Sequence, residues 1–415
     1  MGSELEVSAL MQHGRIRFLF LNVGHFLDHF FVLIFATAAA LRLTIEWDLS
    51  YAALIPYATP SFVAFAVCSI PAGWLADRWS REGMMAVFFI GIGSSSVLAG
   101  LAENPLQMAV SLTLLGVFAA IYHPVGLAMV IEGRKQTGVP LAINGVFGNL
   151  GVASAALITG FLIDSWDWQS AFMAPGIASI GVGVLYLSFN KIAPGIDGYG
   201  DETMSAAKTI EPRPGIARNS LLRIFSVILF TTALGGLIFQ STTFALPKVF
   251  DERLPVLAST ATLVGWYAFL VFSLASFAQL LVGYLIDNHS VRAVFASVAI
   301  LQAILFAIMV PLVGLSALIV AAAFMLVVFG QIPINDVLVG RIARSEWRSR
   351  AYALRSLVSF TVMASAVPLI AWAHGTRGFT ALFGLLSVAA SLIFIAVLFL
   401  PTQVEETESP AAQAA

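Results

Sequence analysis

The residues with the most chemical potential sit where charge is costly. His25, Asp28 and His29 lie at i, i+3 and i+4 inside an apolar run, on one face of a helix. An acid in hydrocarbon costs roughly 2.5–3.5 kcal/mol on insertion scales, so such a group normally faces a cavity or a partner. Asp28 falls about halfway along its run, where a carboxylate can bind and release a proton. The pattern predicts proton coupling at Asp28, with His25 and His29 as relay or substrate ligands. The alternative is an internal hydrogen-bonded knot that fixes this helix against a neighbour. Two imidazoles and a carboxylate are also metal donors. One helical turn rarely completes a shell, so no metal site and no cofactor is assigned.

Tyr122-His123-Pro124 joins two polar rings to a helix breaker. Proline removes a backbone hydrogen bond and kinks the helix, exposing a carbonyl to a ligand. The competing reading is a structural kink with a satisfied histidine. Other polar side chains gather in two later runs: Thr231, Thr232, Gln240, Ser241, Thr242 and Thr243 in one, Gln331, Asn335 and Asp336 in the other. Arg355 lies at a depth similar to that of Asp336 on the next run. A salt bridge between them is the simplest expectation, and binding of an anionic substrate by Arg355 is the alternative. Tyr122, His123, Gln240, Gln331, Asn335, Asp336 and Arg355 are therefore the expected lining of a substrate cavity.

These residues need elements to hold them, and the composition says which. Hydrophobic residues make up 59% and charged residues 11% of the 415, and the mean hydropathy is +0.91. Soluble domains are about 25% charged, so the expected solvent is a bilayer. A span needs about 20 apolar residues, and backbone in lipid must bond internally, which requires helices. Twelve runs qualify: 17–41, 50–73, 83–102, 106–131, 138–163, 171–190, 221–246, 261–286, 292–313, 315–340, 351–373 and 378–400. The polar residues concentrate in the first, fourth, seventh and tenth, whereas the third, sixth and twelfth read as nearly featureless supports. The domain reading is a six-helix unit over 1–190, a Pro- and Gly-containing cytoplasmic linker over 191–220, a second six-helix unit over 221–400 and a disordered tail over 401–415.

If the N-terminus is cytoplasmic, 17 of the 21 lysines and arginines fall on the cytoplasmic side. The positive-inside rule then places both termini in the cytoplasm and predicts a multi-pass protein of the cytoplasmic (inner) membrane. Residues 1–14 are polar and precede a run long enough to span, so no cleaved leader is expected. Cys68, alone of its kind, is read as packing. Neither a G-x-x-x-x-G-K-[ST] loop nor H-E-x-x-H occurs, so an enzyme is not expected. No basic run suggests nucleic acid. The expected partners are a small-molecule substrate, protons and lipid, and the chain is read as a monomer.

The two halves repeat. Gly73-Trp-Leu-Ala-Asp77-Arg78-Trp-Ser-Arg81 follows the second run, and Gly283-Tyr-Leu-Ile-Asp287-Asn-His-Ser-Val-Arg292 follows the eighth. Pro124 and Pro333 lie at nearly the same offset as Asp77 and Asp287. Internal repeats mark secondary transporter folds, with the site at the repeat interface. The first segment resembles the loop signature of the major facilitator superfamily, roughly G-x-L-A-D-R-x-G-R, with Ser80 in place of a glycine. Gly24-His25-Phe26-Leu27-Asp28 and Tyr122-His123-Pro124 are similar to the fosmidomycin-resistance branch. The resemblance implies an all-α integral membrane fold, the major facilitator fold, with twelve transmembrane helices as two six-helix bundles rocking about a central cavity. It implies a gating loop at Gly73, Asp77, Arg78 and Arg81, with a degenerate copy at Gly283 and Asp287. The implied function is secondary active transport of a small molecule by alternating access, proton-coupled, in the direction of drug or metabolite efflux. The alternatives are an importer of a small metabolite or metal chelate, and a transporter-like receptor.

Overall fold

The computed structural model describes residues 2–134, 137–192, 218–342 and 348–401. Every regular element among them is helical. The expected linker and tail lie largely outside the described residues.

Ten helices long and apolar enough to cross a bilayer are separate: α1 Gln12–Glu46, α2 Tyr51–Arg78, α3 Arg81–Gly100, α4 Pro105–Ile131, α5 Gly138–Ser165, α6 Trp168–Ile192, α7 Leu222–Arg253, α8 Ala261–Asn288, α9 Val291–Met309 and α10 Gly314–Val339. The remaining stretch, Leu357–Val397, is two helices. They meet at Arg377 (φ −142°, ψ 25°) and Gly378 (φ 61°, ψ −154°), a reversal that Gly378 makes possible because it lacks a Cβ. We call them α11 (357–376) and α12 (379–397). The twelve expected spans are thus present. α1 and α7 run longer than the hydropathy suggested, to Glu46 and Arg253.

Within the first half, α1 packs on α5 and α3 on α6. The third and sixth spans are not featureless. Ser96 donates to Phe172 O (2.7 Å) and Ser179 to Phe89 O (2.8 Å), so hydroxyls bind these helices together. Gly93 and Gly176 let the two backbones approach, since a Cβ on Gly93 would stand 2.6 Å from Gly176 O. Small residues serve this purpose between membrane helices, where apolar surface alone drives no association.

The halves meet through α5 against α8, α2 against α11 and α1 against α7. Their closest approach is at α5 and α8. A Cβ on Gly160 would lie 2.2 Å from Ala261 O, and one on Gly265 would lie 2.5 Å from Ala156 O. At that end Asp164 of α5 accepts from Ala261 N (3.3 Å), Thr262 N (2.7 Å) and Thr262 Oγ1 (2.6 Å). One half therefore caps the first turn of a helix in the other. Lys248 of α7 donates to Ala40 O (3.4 Å) nearby and pairs with Asp251 (2.6 Å). The Tyr51 ring meets the His374 ring at 5.1 Å, and His374 Nε2 lies 2.9 Å from Glu252 Oε1. These contacts close one end of the interface.

The α5–α8 crossing depends on the missing Cβ atoms, so Gly265→Val should destabilise the protein in detergent by about 1–3 kcal/mol through overpacking. Gly181→Ala, where a Cβ meets nothing within 4 Å, should hold or raise stability. Thermal unfolding of the two variants checks this, and equal midpoints would mean the crossing is not tight.

Candidate functional site

Between the halves lies a cavity of about 940 Å³, lined from both sides and extending from the closed end toward Ile131, Leu141, Asp336 and Arg355. Helix α1 presents His25, Asp28 and His29 to it, as the i, i+3, i+4 spacing requires. Helix α4 supplies His123. It is not a plain α-helix there: Tyr122–Gly126 is a π turn around Pro124. Such turns re-aim side chains and are frequent at functional sites. The turn brings His123 Nε2 to 3.4 Å from Asp28 Oδ2. The ring centroids of His25, His29 and His123 lie 5.0, 5.6 and 5.5 Å apart. Asp28 is 1% exposed, and its Oδ1 has no hydrogen-bond partner.

The ring of His25 is held from behind. Its Nδ1 meets the Asn144 carbonyl at 2.8 Å, so that nitrogen is the donor. The Tyr122 ring stacks on it at 4.9 Å and 20°. A Cβ on Gly148 would stand 2.7 Å from His25 Nε2, so only glycine leaves room for the imidazole. Asn144 Nδ2 donates to Tyr122 Oη (2.9 Å) and Asn22 Oδ1 (3.0 Å), and Tyr122 Oη donates to Leu21 O (2.8 Å).

This corrects one expectation. Tyr122 does not line the cavity. It is fully buried behind His25, where its hydroxyl is satisfied by the Leu21 carbonyl and the Asn144 amide of neighbouring helices. Its ring packs against that of His25. Of the other expected lining residues, His123, Gln240, Gln331, Asn335, Asp336 and Arg355 all face the cavity. Arg355 Nη1 lies 2.6 Å from Asp336 Oδ1, so the two charges form a pair in the wall. Thr231 Oγ1 donates to Asn335 Oδ1 (3.1 Å).

The wall opposite the histidines is rich in amides. Gln331, 6% exposed, has no partner at Nε2 or Oε1; neither has Gln302 at either atom, nor Gln240 at Nε2. Buried polar groups without partners are rare and call for water or a ligand. Gln279 and Gln302 were not singled out in the sequence. They sit on α8 and α9, outside the helices whose polar content drew attention. Asn144 and Asp164 were missed too, since one amide and one terminal acid carry no spacing signal.

At the far end from the cross-half contacts, Arg81 bridges Asp77 (3.1 Å) and Glu132 (2.9 Å), joining the ends of α2 and α4 to the start of α3. Arg78 instead lies over the Trp74 ring at 4.2 Å. A Cβ on Gly73 would meet Pro124 at 3.2 Å, so the loop's first glycine permits α2 to approach the α4 kink. Gly283 has no such neighbour within 4 Å. The second copy ends in an exposed Asp287 and does not repeat this constraint.

The family comparison agrees with this architecture. The model of the Major Facilitator Superfamily matches residues 18–261, and the chain belongs to that superfamily. Among curated relatives, a gallate transporter of Pseudomonas putida is 26% identical over 139 residues, covering 33% of this chain and 31% of that protein. A puromycin resistance protein of Streptomyces alboniger is 32% identical over 120 residues, covering 27% and 24%. The chain thus matches about a third or less of the length of these relatives. Solved structures match along nearly the whole length. A bacterial homologue of the human lysosomal transporter Spinster, inward-facing and occupied, aligns with TM-score 0.71 and 16% identity over 95% of this chain and 98% of that one. A D-xylose–proton symporter aligns with TM-score 0.70 and 15% identity over 94% and 99%.

If Tyr122 positions rather than binds, Tyr122→Phe should cost about 0.5–1.5 kcal/mol of stability by removing the hydroxyl's bonds to the Leu21 carbonyl and Asn144, with affinity for a bound solute unchanged. Thermal unfolding beside equilibrium binding reads both. Full stability with weakened binding would return Tyr122 to the cavity wall.

Proposed function

We propose that this protein is a secondary active transporter that carries a small molecule across the cytoplasmic membrane by alternating access, with the proton as coupling ion. The observation that carries the reading is the interface cavity: both halves line it, cross-half bonds close one end, and buried amides with no partner face it. A polar group stranded in this way is costly unless something transient occupies the space. The residues divide between the walls. Asp28 and the histidines give a cation a place to act on the first half, and the glutamines offer donors and acceptors to a solute on the second. The halves are the units we propose to rock, 1–190 against 221–400, with the linker between them.

The closed end carries Ala40, Tyr51, Asp164, Lys248 and His374, whereas Arg81 and Glu132 sit at the other. With the positive-inside assignment, this is a state open to the cytoplasm. Asp77, Arg81 and Glu132 are then the loop network that re-forms or loosens at the cytoplasmic mouth. These pairs are solvent-exposed and individually worth little, about 0–1 kcal/mol. That suits a contact whose role is to tip a balance between two states rather than to hold the fold.

The test uses Gln331→Leu. Removing an unpartnered buried amide removes a desolvation cost of about 1–3 kcal/mol, so folded yield should hold or rise. Transport should fall by about tenfold or more, the equivalent of at least 1.4 kcal/mol of lost binding. Proteoliposomes loaded with a pH-sensitive dye and challenged with solutes that stabilise the protein, gallate and puromycin among the first screened, read both proton flux and uptake. Unchanged transport in Gln331→Leu would remove the amide wall from the substrate site. A protein that moves neither solute nor protons would leave the receptor reading.

A further inference from the structure

The cluster on the first half of the cavity holds more donors than the sequence promised. The three imidazoles of His25, His29 and His123 bring ligand atoms within 4.8 Å of one another. Asp28 adds a carboxylate 3.4 Å from His123 Nε2. Two turns of helix are involved, from α1 and from the π turn of α4. The objection that one helical turn cannot complete a shell therefore no longer applies. We propose that His25, His29, His123 and Asp28 form a binding site for a divalent first-row transition-metal ion, and that this ion, alone or held by a small chelator, is the cargo.

Three observations support it. The donor set is imidazole with one carboxylate and no thiolate, which suits zinc, nickel, cobalt or iron(II) rather than a soft copper(I) ion or a hard magnesium ion. One second-shell contact is in place: His25 Nδ1 donates to the Asn144 carbonyl at 2.8 Å, which leaves Nε2 as the nitrogen for a metal. A ligating histidine nearly always fixes its other nitrogen in this way. The carboxyl group also has an open oxygen. Asp28 is 1% exposed; its Oδ2 lies 3.4 Å from His123 Nε2, and its Oδ1 has no hydrogen-bond partner, whereas buried polar groups normally have one.

The geometry is that of an open site. Donor atoms about 2.0–2.1 Å from a zinc-sized ion stand roughly 3.3 Å apart in a tetrahedron. From separations within 4.8 Å, the rings close by small rotations. The cavity, about 940 Å³, is far larger than an ion. Facing the cluster are Gln240 and Gln331, each with unpartnered amide atoms. That wall can bind the polar groups of a chelator whose metal completes its sphere on the histidines. Metal alone and metal with a chelator share one recognition chemistry, an ion with open positions for nitrogen donors. The cargo role rests on the transport reading above, and the binding site does not.

The experiment is titration of the purified, chelator-stripped full-length protein with Co2+, alone and as its nitrilotriacetate complex, followed by the visible d–d spectrum and by calorimetry. One ion per chain in a nitrogen-rich, low-symmetry spectrum is expected, with Mg2+ failing to compete. His29→Gln and His123→Gln should each weaken binding by at least about tenfold, the lower end of what even outer-shell changes cost a metal site. His289→Gln, at an exposed position on the far loop, should bind as the parent does. If either cluster variant fails to fold, the spectrum of the parent still decides, since a site of water and scattered surface ligands gives no such bands. No binding, or binding that survives both cluster substitutions, overturns the proposal. Proteoliposome uptake of Co2+ and of the Co2+–nitrilotriacetate complex then separates free ion from chelate. Metal bound but not moved would keep the site and remove the cargo role. A non-metal solute transported by a protein that binds no Co2+ would keep the transport reading and remove the site.

Discussion

Asn144 ties the first half together. From α5 it bonds to α1 at Asn22 and at the His25 ring, and to α4 at Tyr122, which in turn reaches back to α1 at the Leu21 carbonyl. Inside hydrocarbon no water competes for these groups, so each must find a partner within the protein. Satisfying them together fixes three helices in one register. The glycines complete the constraint: a Cβ on Gly151 would stand 2.2 Å from Phe26 O, and one on Gly24 would press on Tyr122 at 2.9 Å. With α1 clamped in this way, His25, Asp28 and His29 can point only into the space between the halves.

The contrast with the second half is instructive. There Arg355 pairs with Asp336 and Thr231 bonds to Asn335, but several other polar side chains nearest the cavity are not knotted. Gln240, Gln302 and Gln331 leave amide atoms unpartnered, as does the Thr232 hydroxyl. A fully satisfied network rigidifies, and a partly satisfied one is costly until something fills it. The two halves thus offer a pre-set cluster on one wall and a wall of adaptable donors and acceptors on the other. At the closed end the glycine-lined crossing of α5 and α8 is joined by polar cross-half bonds, with Asp164 capping α8 and Lys248 reaching the Ala40 carbonyl. Bonds of this kind exchange readily for water, so one end can part without unpacking either bundle.

Much of this was legible in the residue order, and the rest was not, for definable reasons. Span number follows from hydropathy because lipid leaves the backbone no alternative. The break between the eleventh and twelfth runs, expected between 373 and 378, falls at Arg377 and Gly378. The shared face of His25, Asp28 and His29 is simple helical arithmetic. That His123 faces the same cavity was expected from its place in the fourth span, but the π turn at Pro124 that carries its Nε2 to 3.4 Å from Asp28 is encoded by no spacing. Tyr122 misled because a polar ring beside a proline looks like a ligand group, whereas its hydroxyl is spent on Leu21 and Asn144. Gln279 and Gln302 escaped notice as single amides in otherwise apolar spans. The loop at Gly283 reads as a degenerate copy of that at Gly73, and of the two only Gly73 has a helix pressed against it.

The central claim is that the end closed by Asp164 and Thr262 must open for cargo to cross. Their side chains meet at 2.6 Å, so cysteines at both positions, in a background with Cys68 replaced, bring two thiols close enough to test for an oxidative cross-link across the halves. The account predicts that oxidation stops net transport in proteoliposomes while solute still binds the cavity, and that reduction restores it. Full transport by the cross-linked protein would contradict alternating access at this interface.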